Sequence, residues 1–158
     1  MKTLIGIWFV TATVLTGAAA PVNVALHKPY TLEPTPDYRH CTDLGDNVQL
    51  TDGVYVEGYF WTQTGTVGWN NFAPVICTID LGKVEPVCGV SWSTAAGAAG
   101  VGWPECLYVL ASEDRKTWTY LGDLCEWVDD ARRPPQGAYA TFRFASDRLK
   151  GRGRYVCV

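Results

Sequence analysis

The sequence predicts an all-β fold built as a β-sandwich, and three observations lead to that prediction. Short apolar runs recur along the chain, and glycine, proline and aspartate stand between them. Helical periodicity is weak beyond the first twenty residues. The 158 residues are 47% hydrophobic and 18% charged, which is the balance of one globular domain with a substantial core.

The run "VICTIDL" at residues 75–81 places Val75, Cys77, Ile79 and Leu81 on one face of a strand. Gly82 and the lysine after it interrupt this pattern, and "VCGVSW" at residues 87–92 resumes it. The two runs therefore predict an antiparallel pair joined by a loop.

Later segments carry the same signals. Residues 107–111 are apolar on both faces, which predicts a central strand of the sandwich. Residues 117–122 and 139–145 alternate between apolar and polar positions, and "RYVCV" at residues 154–158 predicts a final strand.

The N-terminus is typical of a secretory signal. Lys2 precedes an apolar stretch over residues 4–15, and the small residues of "TGAAAP" follow. We expect residues 1–19 to be removed, so that residues 20–158 form the domain of a secreted protein, whether extracellular, periplasmic or at the cell surface. An uncleaved membrane anchor is less favoured, because the apolar stretch is shorter than the ~20 residues of a membrane span.

Six cysteines predict disulfides in an exported chain. They are Cys41, Cys77, Cys88, Cys106, Cys125 and Cys157. Their pairing does not follow from the sequence, and the alternative is buried free thiols that pack as small hydrophobic groups. A structural zinc site is disfavoured, because the sequence has no C-x-x-C pair.

Charge limits the classes of partner. The formal net charge is -3, and no long basic run is present. Nucleic acids are therefore disfavoured and are not among the expected partners, because their phosphate backbone is bound by clustered Lys and Arg. Anionic membranes are disfavoured for the same reason.

The ordered segments "NVALHKPYTL", "LTDGVYVEGYFW", "TIDLGKVEPVCGVSW", "LYVLASEDRKTW" and "GRYVCV" resemble the discoidin family. This family is also called the coagulation factor 5/8 C-terminal domain, and family 32 carbohydrate-binding modules belong to the same group. The resemblance spans residues 23–158. It implies a galactose-binding-domain-like jelly roll, a β-sandwich that binds ligands with loops at one end. Most members of this family are not catalytic.

The sequence departs from the family at two places. Arg115 stands where the family usually has glycine in a charged turn, and a left-handed backbone costs Arg more than Gly. The family also has a further strand after the one that resembles residues 154–158. We therefore expect the sandwich to lack its last strand because the sequence is truncated. The alternative is an unpaired sheet edge, which is an aggregation hazard.

Candidate binding residues lie in long predicted loops at residues 33–47, 64–73 and 93–104, because loops on a rigid scaffold commonly carry binding groups. Sugars are recognised by aromatic faces together with a few directed polar groups. The predicted contacts are Tyr38, Arg39, His40, Trp69, Asn70 and Trp103. The alternatives are that the two tryptophans are core residues and that Arg39 and His40 belong to a solvated turn. Trp61 and Trp118 match positions that pack inside the family's fold, so the resemblance does not imply that they contact a ligand.

Asp52 matches a family position that often supports a structural calcium ion. Backbone carbonyls of Lys28 or Val54 are candidate additional ligands, since calcium binds six to eight oxygens. The alternative is that Asp52 only closes an Asp-Gly turn.

An enzyme is disfavoured. Asp129 and Asp130 are adjacent and in a polar segment, so they do not predict the separated carboxylate pair of a glycosidase. No G-x-S-x-G motif is present. The sequence therefore predicts a secreted, non-catalytic module that binds a carbohydrate or glycoconjugate, as the N-terminal domain of a larger protein. A protein- or lipid-binding adhesion domain is the alternative, and a glycoside hydrolase is less favoured.

Overall fold

The computed structural model of the protein describes residues 22–128 and 133–158. The predicted signal peptide, the start of the mature domain and the pair Asp129 and Asp130 lie outside these residues. In the described part of the chain, no helix has both the length and the apolar character needed to cross a membrane.

The described residues contain seven strands. They are β1 (Tyr30–Glu33), β2 (Ile76–Val87), β3 (Val90–Ala96), β4 (Tyr108–Ser112), β5 (Thr119–Asp123), β6 (Ala140–Ser146) and β7 (Gly151–Cys157). Two 3₁₀ turns, Gln49–Thr51 and Phe60–Thr62, lie in the long connection between β1 and β2. The prediction of an all-β fold is confirmed.

The strands form two antiparallel sheets. The larger has the order β1-β2-β7-β4-β5, and the smaller pairs β3 with β6. The strand predicted at residues 107–111 is β4, which has neighbours on both sides. The final strand, β7, lies in the centre of the larger sheet, where β2 and β4 both pair with it.

The predicted hairpin between residues 75–81 and 87–92 is wrong. Strand β2 continues through Gly82 to Val87, and β3 belongs to the other sheet. Gly82 has a φ of +86°, and the register with β7 shifts between Asp80 and Glu85, so the glycine forms a bulge and does not end the strand. The chain then crosses between the sheets at Gly89, where a Cβ would stand 2.6 Å from the carbonyl oxygen of Ser146.

The core lies between the two sheets. Phe144 of β6 is fully buried and packs in one cluster with Val109 of β4, Val156 of β7 and Leu81 of β2. Trp92 and Phe142 extend this cluster from the inner face of the smaller sheet. The outer face of that sheet is polar, because Ser91, Ser93 and Arg143 are exposed there. This division of faces is the arrangement of a sandwich.

Arg115 adopts the left-handed backbone that glycine favours, with a φ of +62°. Its amide donates to Ser112 Oγ at 2.8 Å, and the amides of the next two residues donate to Asp114 Oδ1. Its guanidinium lies 5.8 Å from the Tyr155 ring centre and donates to Thr31 Oγ1. The turn therefore holds an arginine in the left-handed conformation with these side-chain contacts around it.

The cysteines do not form the disulfides that the sequence predicts, because all six are free thiols in the structure. Cys77 and Cys157 lie on neighbouring strands, but Cys157 is opposite Thr78, so the two sulfurs point to opposite faces of the sheet. Cys77 faces the core, and burial raises the pKa of its thiol to about 12. Burial also raises the pKa of Cys125 to about 11.

Asp80 and Arg154 form a two-pronged ion pair at the bulge of β2. Arg154 Nε donates to Asp80 Oδ1 and a terminal nitrogen donates to Oδ2, both at 2.8 Å. The hydrogen bonds from Arg154 lower the pKa of the Asp80 carboxyl below its ordinary value of 3.8, and the Gly82 amide also contributes. The side chains are 42% and 30% exposed, for Arg154 and Asp80 respectively, so solvent weakens the pair.

We predict that Asp80→Asn lowers the free energy of unfolding at neutral pH by up to about 1 kcal/mol, the range of such partly exposed pairs. Because the folded pKa is depressed, this stability is present above pH 3.8 and is lost as the pH falls through the folded pKa. Urea unfolding of both proteins at pH 7 and at about pH 2 measures the difference. A deficit that is equally large at both values would contradict the ion-pair account, and the exposed control Asp147→Asn should change little.

We predict that Cys88 and Cys106, which are exposed, react with iodoacetamide in the folded protein at about pH 8. Cys77 should react only after unfolding, because the thiolate is the nucleophile and a pKa of about 12 leaves very little of it. Mass mapping of labelled peptides with and without urea measures the order of reaction. Labelling of Cys77 at the rate of Cys88 would show that the strand pairing around it is incorrect.

Candidate functional site

Two of the long loops are joined by hydrogen bonds. The backbone amides of Asp37 and Tyr38 both donate to the carbonyl oxygen of Gly68, at 3.2 and 3.1 Å. The backbone amide of Asn70 donates to Asp37 Oδ1 at 2.8 Å, and the Trp69 indole donates to the carbonyl of Pro34 at 2.7 Å. These contacts fix the loop that follows β1 against the loop that precedes β2.

The joined loops bring five of the six predicted contact residues to one place, which we call the joined-loop surface. It consists of Tyr38, Arg39, His40, Trp69 and Asn70. Arg39, His40 and Asn70 are exposed, and the two larger rings are half-buried. The Tyr38 and His40 rings meet edge to face with centres 5.2 Å apart, and Arg39 Nε donates to His40 Nε2 at 3.3 Å. That these residues bind a ligand stays a prediction.

Trp103, the sixth predicted residue, is attached to the core. Its indole donates to the carbonyl of Pro134 at 2.8 Å. Its half-buried ring meets Phe142 and Phe144 edge to face, with centres 6.0 and 6.4 Å apart. These contacts fit the alternative that the sequence left open, in which this tryptophan is a packing residue.

A second group of rings was not predicted as a site. Tyr59, Trp61 and Tyr139 form what we call the aromatic cluster, with ring centres 4.5 to 5.5 Å apart. Tyr59 is 50% exposed and the other two rings are half-buried. The resemblance implies an interior position for Trp61, whereas the structure places its ring in this partly exposed cluster. Three consecutive aromatic residues at positions 59–61 are the sequence pattern that could have indicated this group.

Hydrogen bonds hold the aromatic cluster in place. The Tyr139 hydroxyl donates to the carbonyl of Gly58 at 2.7 Å, which links the residue just before β6 to the segment that leads into Tyr59. The side-chain amide nitrogen of Gln63 donates to the backbone carbonyls of Glu57 and Tyr59 at 3.1 and 2.9 Å. Hydrogen bonds within residues 57–63 and from Tyr139 therefore fix the loop that carries Tyr59 and Trp61.

The same segment covers the outer face of the smaller sheet through Tyr55. The guanidinium carbon of Arg143 lies 3.5 Å from the centre of the Tyr55 ring. The Tyr55 hydroxyl and Ser91 Oγ share a hydrogen bond of 2.9 Å. The Tyr55 ring thus contacts both strands of the smaller sheet, β3 through Ser91 and β6 through Arg143.

The glycine-rich segment forms an open depression of about 430 Å³. Its walls are residues 97–102 with Gln136 and Gly137, so backbone amides and carbonyls line most of it. The amide of Gly137 donates to the carbonyl of Gly97 at 3.0 Å, which closes the depression against the residues before β6. Tyr139 of the aromatic cluster follows two residues later.

Asp52, the predicted calcium ligand, accepts a hydrogen bond from its own turn. Asp52 Oδ1 accepts the Val54 amide at 2.7 Å, as in an aspartate turn. The carbonyl of Lys28, one of the expected additional ligands, accepts the hydroxyl of Thr51 at 2.8 Å. Both of these oxygens therefore already accept a hydrogen bond within the chain, and calcium at Asp52 stays a prediction.

The sequence matches no protein-family model and no curated protein. Among solved structures, it is similar to chitosan-binding module 2 from a chitosanase/glucanase of Paenibacillus sp. IK-5, which was solved in complex with chitotriose. The two share 17% identity over 85% of this chain and 84% of that chain, with a TM-score of 0.45.

We predict that Gly97→Ala destabilises the glycine-rich segment far more than Gly100→Ala. Both residues have positive φ, +95° and +78°, which costs a residue with a side chain ~1 kcal/mol. A Cβ at Gly97 would also collide with the carbonyl oxygen of Ala138, whereas a Cβ at Gly100 meets nothing within 4 Å. We expect losses of about 3 and about 1 kcal/mol in chemical unfolding. Equal losses would mean that the segment does not close against residue 138.

Proposed function

We propose that this protein is a non-catalytic carbohydrate-binding module, and that the joined-loop surface is its contact with the sugar. The observation that carries the proposal is the bonding between the two loops, which holds aromatic, amide, imidazole and guanidinium groups in one exposed place. Sugar recognition needs a ring face for the apolar C–H side and a few directed polar groups for the hydroxyls.

Fixed geometry supports this proposal, because a surface ordered before binding loses less entropy when the ligand arrives. Asn70 is held through its backbone by Asp37, so its side-chain amide remains exposed. Trp69 is anchored by its indole nitrogen, so its orientation is fixed while its ring remains half-exposed. Tyr38 and His40 brace each other by their ring contact.

The proposal extends to the place where the module works. We propose that residues 1–19 direct export and that the domain acts outside the cell as part of a larger protein, which would bring it to a glycan surface. The support is the sequence pattern of the N-terminus and the resemblance described above.

We predict that Tyr38→Ala and Asn70→Ala each weaken sugar binding by at least about tenfold, equivalent to ~1.4 kcal/mol. The ligand is first selected from an array of neutral and amino-sugar oligosaccharides, and calorimetry then measures the dissociation constant for each variant. Tyr120→Ala is the matched control, because Tyr120 is 55% exposed on β5 and belongs to neither aromatic surface.

A Tyr59→Ala variant separates the two aromatic surfaces. Binding that is lost with Tyr59→Ala but kept with Tyr38→Ala would move the contact to the aromatic cluster and overturn the joined-loop assignment. Failure of the wild-type protein to bind any oligosaccharide, combined with flotation on phosphatidylserine vesicles, would overturn the carbohydrate function itself. Hydrolysis of a bound oligosaccharide would overturn the non-catalytic part.

A further inference from the structure

Five consecutive exposed residues stand in the loop before β2, and we call them the exposed ridge. They are residues 70–74, with the sequence "NNFAP". The backbone amide of Asn70 donates to Asp37 Oδ1 at 2.8 Å, which fixes one end of the ridge to the loop after β1. At the other end, Ile76 pairs with Glu33 at the end of β1. The exposed ridge is therefore anchored on both sides.

Phe72 is the central residue of the exposed ridge, and its side chain is 51% exposed. Among the described residues it belongs neither to the core cluster nor to a pair of contacting rings. Single exposed apolar side chains are common on proteins, so exposure alone does not mark a site. The position of Phe72 does, because it lies two residues from Asn70 of the joined-loop surface. The Cα atoms of the two residues are therefore at most about 7 Å apart.

Asn71, between these two residues, adopts a left-handed backbone with a φ of +59°. Asparagine tolerates this conformation better than most residues, because its short polar side chain can hydrogen-bond locally. The chain is therefore not extended at the exposed ridge. The turn keeps two side-chain amides and one phenyl ring within a short exposed span.

The two large rings of the joined-loop surface are less available than Phe72. Tyr38 lies against Gly68, where a Cβ would stand 3.3 Å from Tyr38 Cδ1, and its ring also meets that of His40. The Trp69 indole nitrogen is bound to a backbone carbonyl of the loop after β1. Both rings are half-buried, so Phe72 is the most exposed of the three.

The exposed ridge has no charged side chain. Charged groups beside it are engaged within the protein, since Asp37 Oδ1 accepts the backbone amide of Asn70 and Arg39 Nε donates to His40 Nε2 at 3.3 Å. Asn70 and Asn71 are exposed, and a side-chain amide can both donate and accept hydrogen bonds. An apolar ring beside neutral amides matches the C–H face and the hydroxyl groups of an uncharged sugar.

We propose that Phe72 is the ring on which a neutral pyranose unit of the glycan stacks, and that the side-chain amides of Asn70 and Asn71 bind its hydroxyl groups. This inference rests on the proposed function, because it names the ligand class and the stacking residue of the same sugar contact. The side chain of phenylalanine has no polar atom, so it contributes only through its apolar face. The affinity therefore depends on the presence of a flat ring at position 72.

The test compares three substitutions of Phe72, with the oligosaccharide selected from the array and with calorimetry as the measurement. Phe72→Ala should weaken binding by at least about tenfold, as the loss of a central aromatic contact does. Phe72→Leu stays apolar but lacks the ring and should weaken binding by at least about fivefold, whereas Phe72→Trp should stay within about threefold of the wild type. Leu44→Ala is the matched control and should bind as the wild type does, because Leu44 is a 98% exposed apolar side chain outside the exposed ridge and the joined-loop surface.

Two further measurements report on stacking and on ligand charge. In proton NMR spectra, ring protons of the bound sugar should shift upfield with the wild type and with Phe72→Trp, and this shift should be reduced with Phe72→Leu. Raising NaCl from about 50 to about 500 mM should change the dissociation constant by less than about twofold, because a neutral ligand has no charge for salt to screen.

The outcomes separate this inference from the proposed function. If Phe72→Ala binds within about threefold of the wild type while Asn70→Ala is weakened, the stacking role is wrong and the proposed function stands. Equal affinities of Phe72→Leu and Phe72→Trp would likewise show that no ring is needed. Selection of amino-sugar oligosaccharides alone, or a loss of about tenfold in affinity at high salt, would overturn the neutral class. A wild-type protein that binds no oligosaccharide would overturn both proposals. Should Phe72→Ala fail to fold, the comparison of Phe72→Leu with Phe72→Trp decides.

Discussion

Pairing of β7 on both of its sides is the constraint on which the rest of the larger sheet depends. Its backbone bonds to β2 on one side and to β4 on the other, so it joins the half of the sheet that carries β1 to the half that carries β5. Gly153 permits this approach, because a Cβ there would stand 2.8 Å from the carbonyl oxygen of Ser112. Val156 then faces the core from the middle of the sheet.

Much of this fold could be predicted from local patterns, because alternation and apolar runs mark strands wherever one face is buried. Strands β4, β5, β6 and β7 were found in this way, each within two or three residues. The hairpin was missed because Gly82 was interpreted as a break, and a bulge produces the same local signal. Strand β1 was missed because its four residues are too few to show a period.

The site was less predictable, because its geometry depends on contacts between residues far apart in the sequence. Residue types suggested Tyr38, His40 and Asn70, but their loops are brought together by long-range hydrogen bonds, such as the one between Asp37 and Asn70 across 33 positions. Trp61 was assigned to the interior by family position, while the structure places it in a partly exposed group of rings.

The short outer strand β1 has a consequence for how the protein moves. Only four residue pairs join it to β2, and the whole first loop continues from its end. Local opening of a protein follows the weakest cooperative unit and does not require the core to unfold. Opening of β1 with this loop would break the hydrogen bonds to the loop before β2 while β7 stays closed. Anything that braces this loop would therefore slow amide hydrogen exchange at residues 30–33 before it changes exchange in the centre of the sheet.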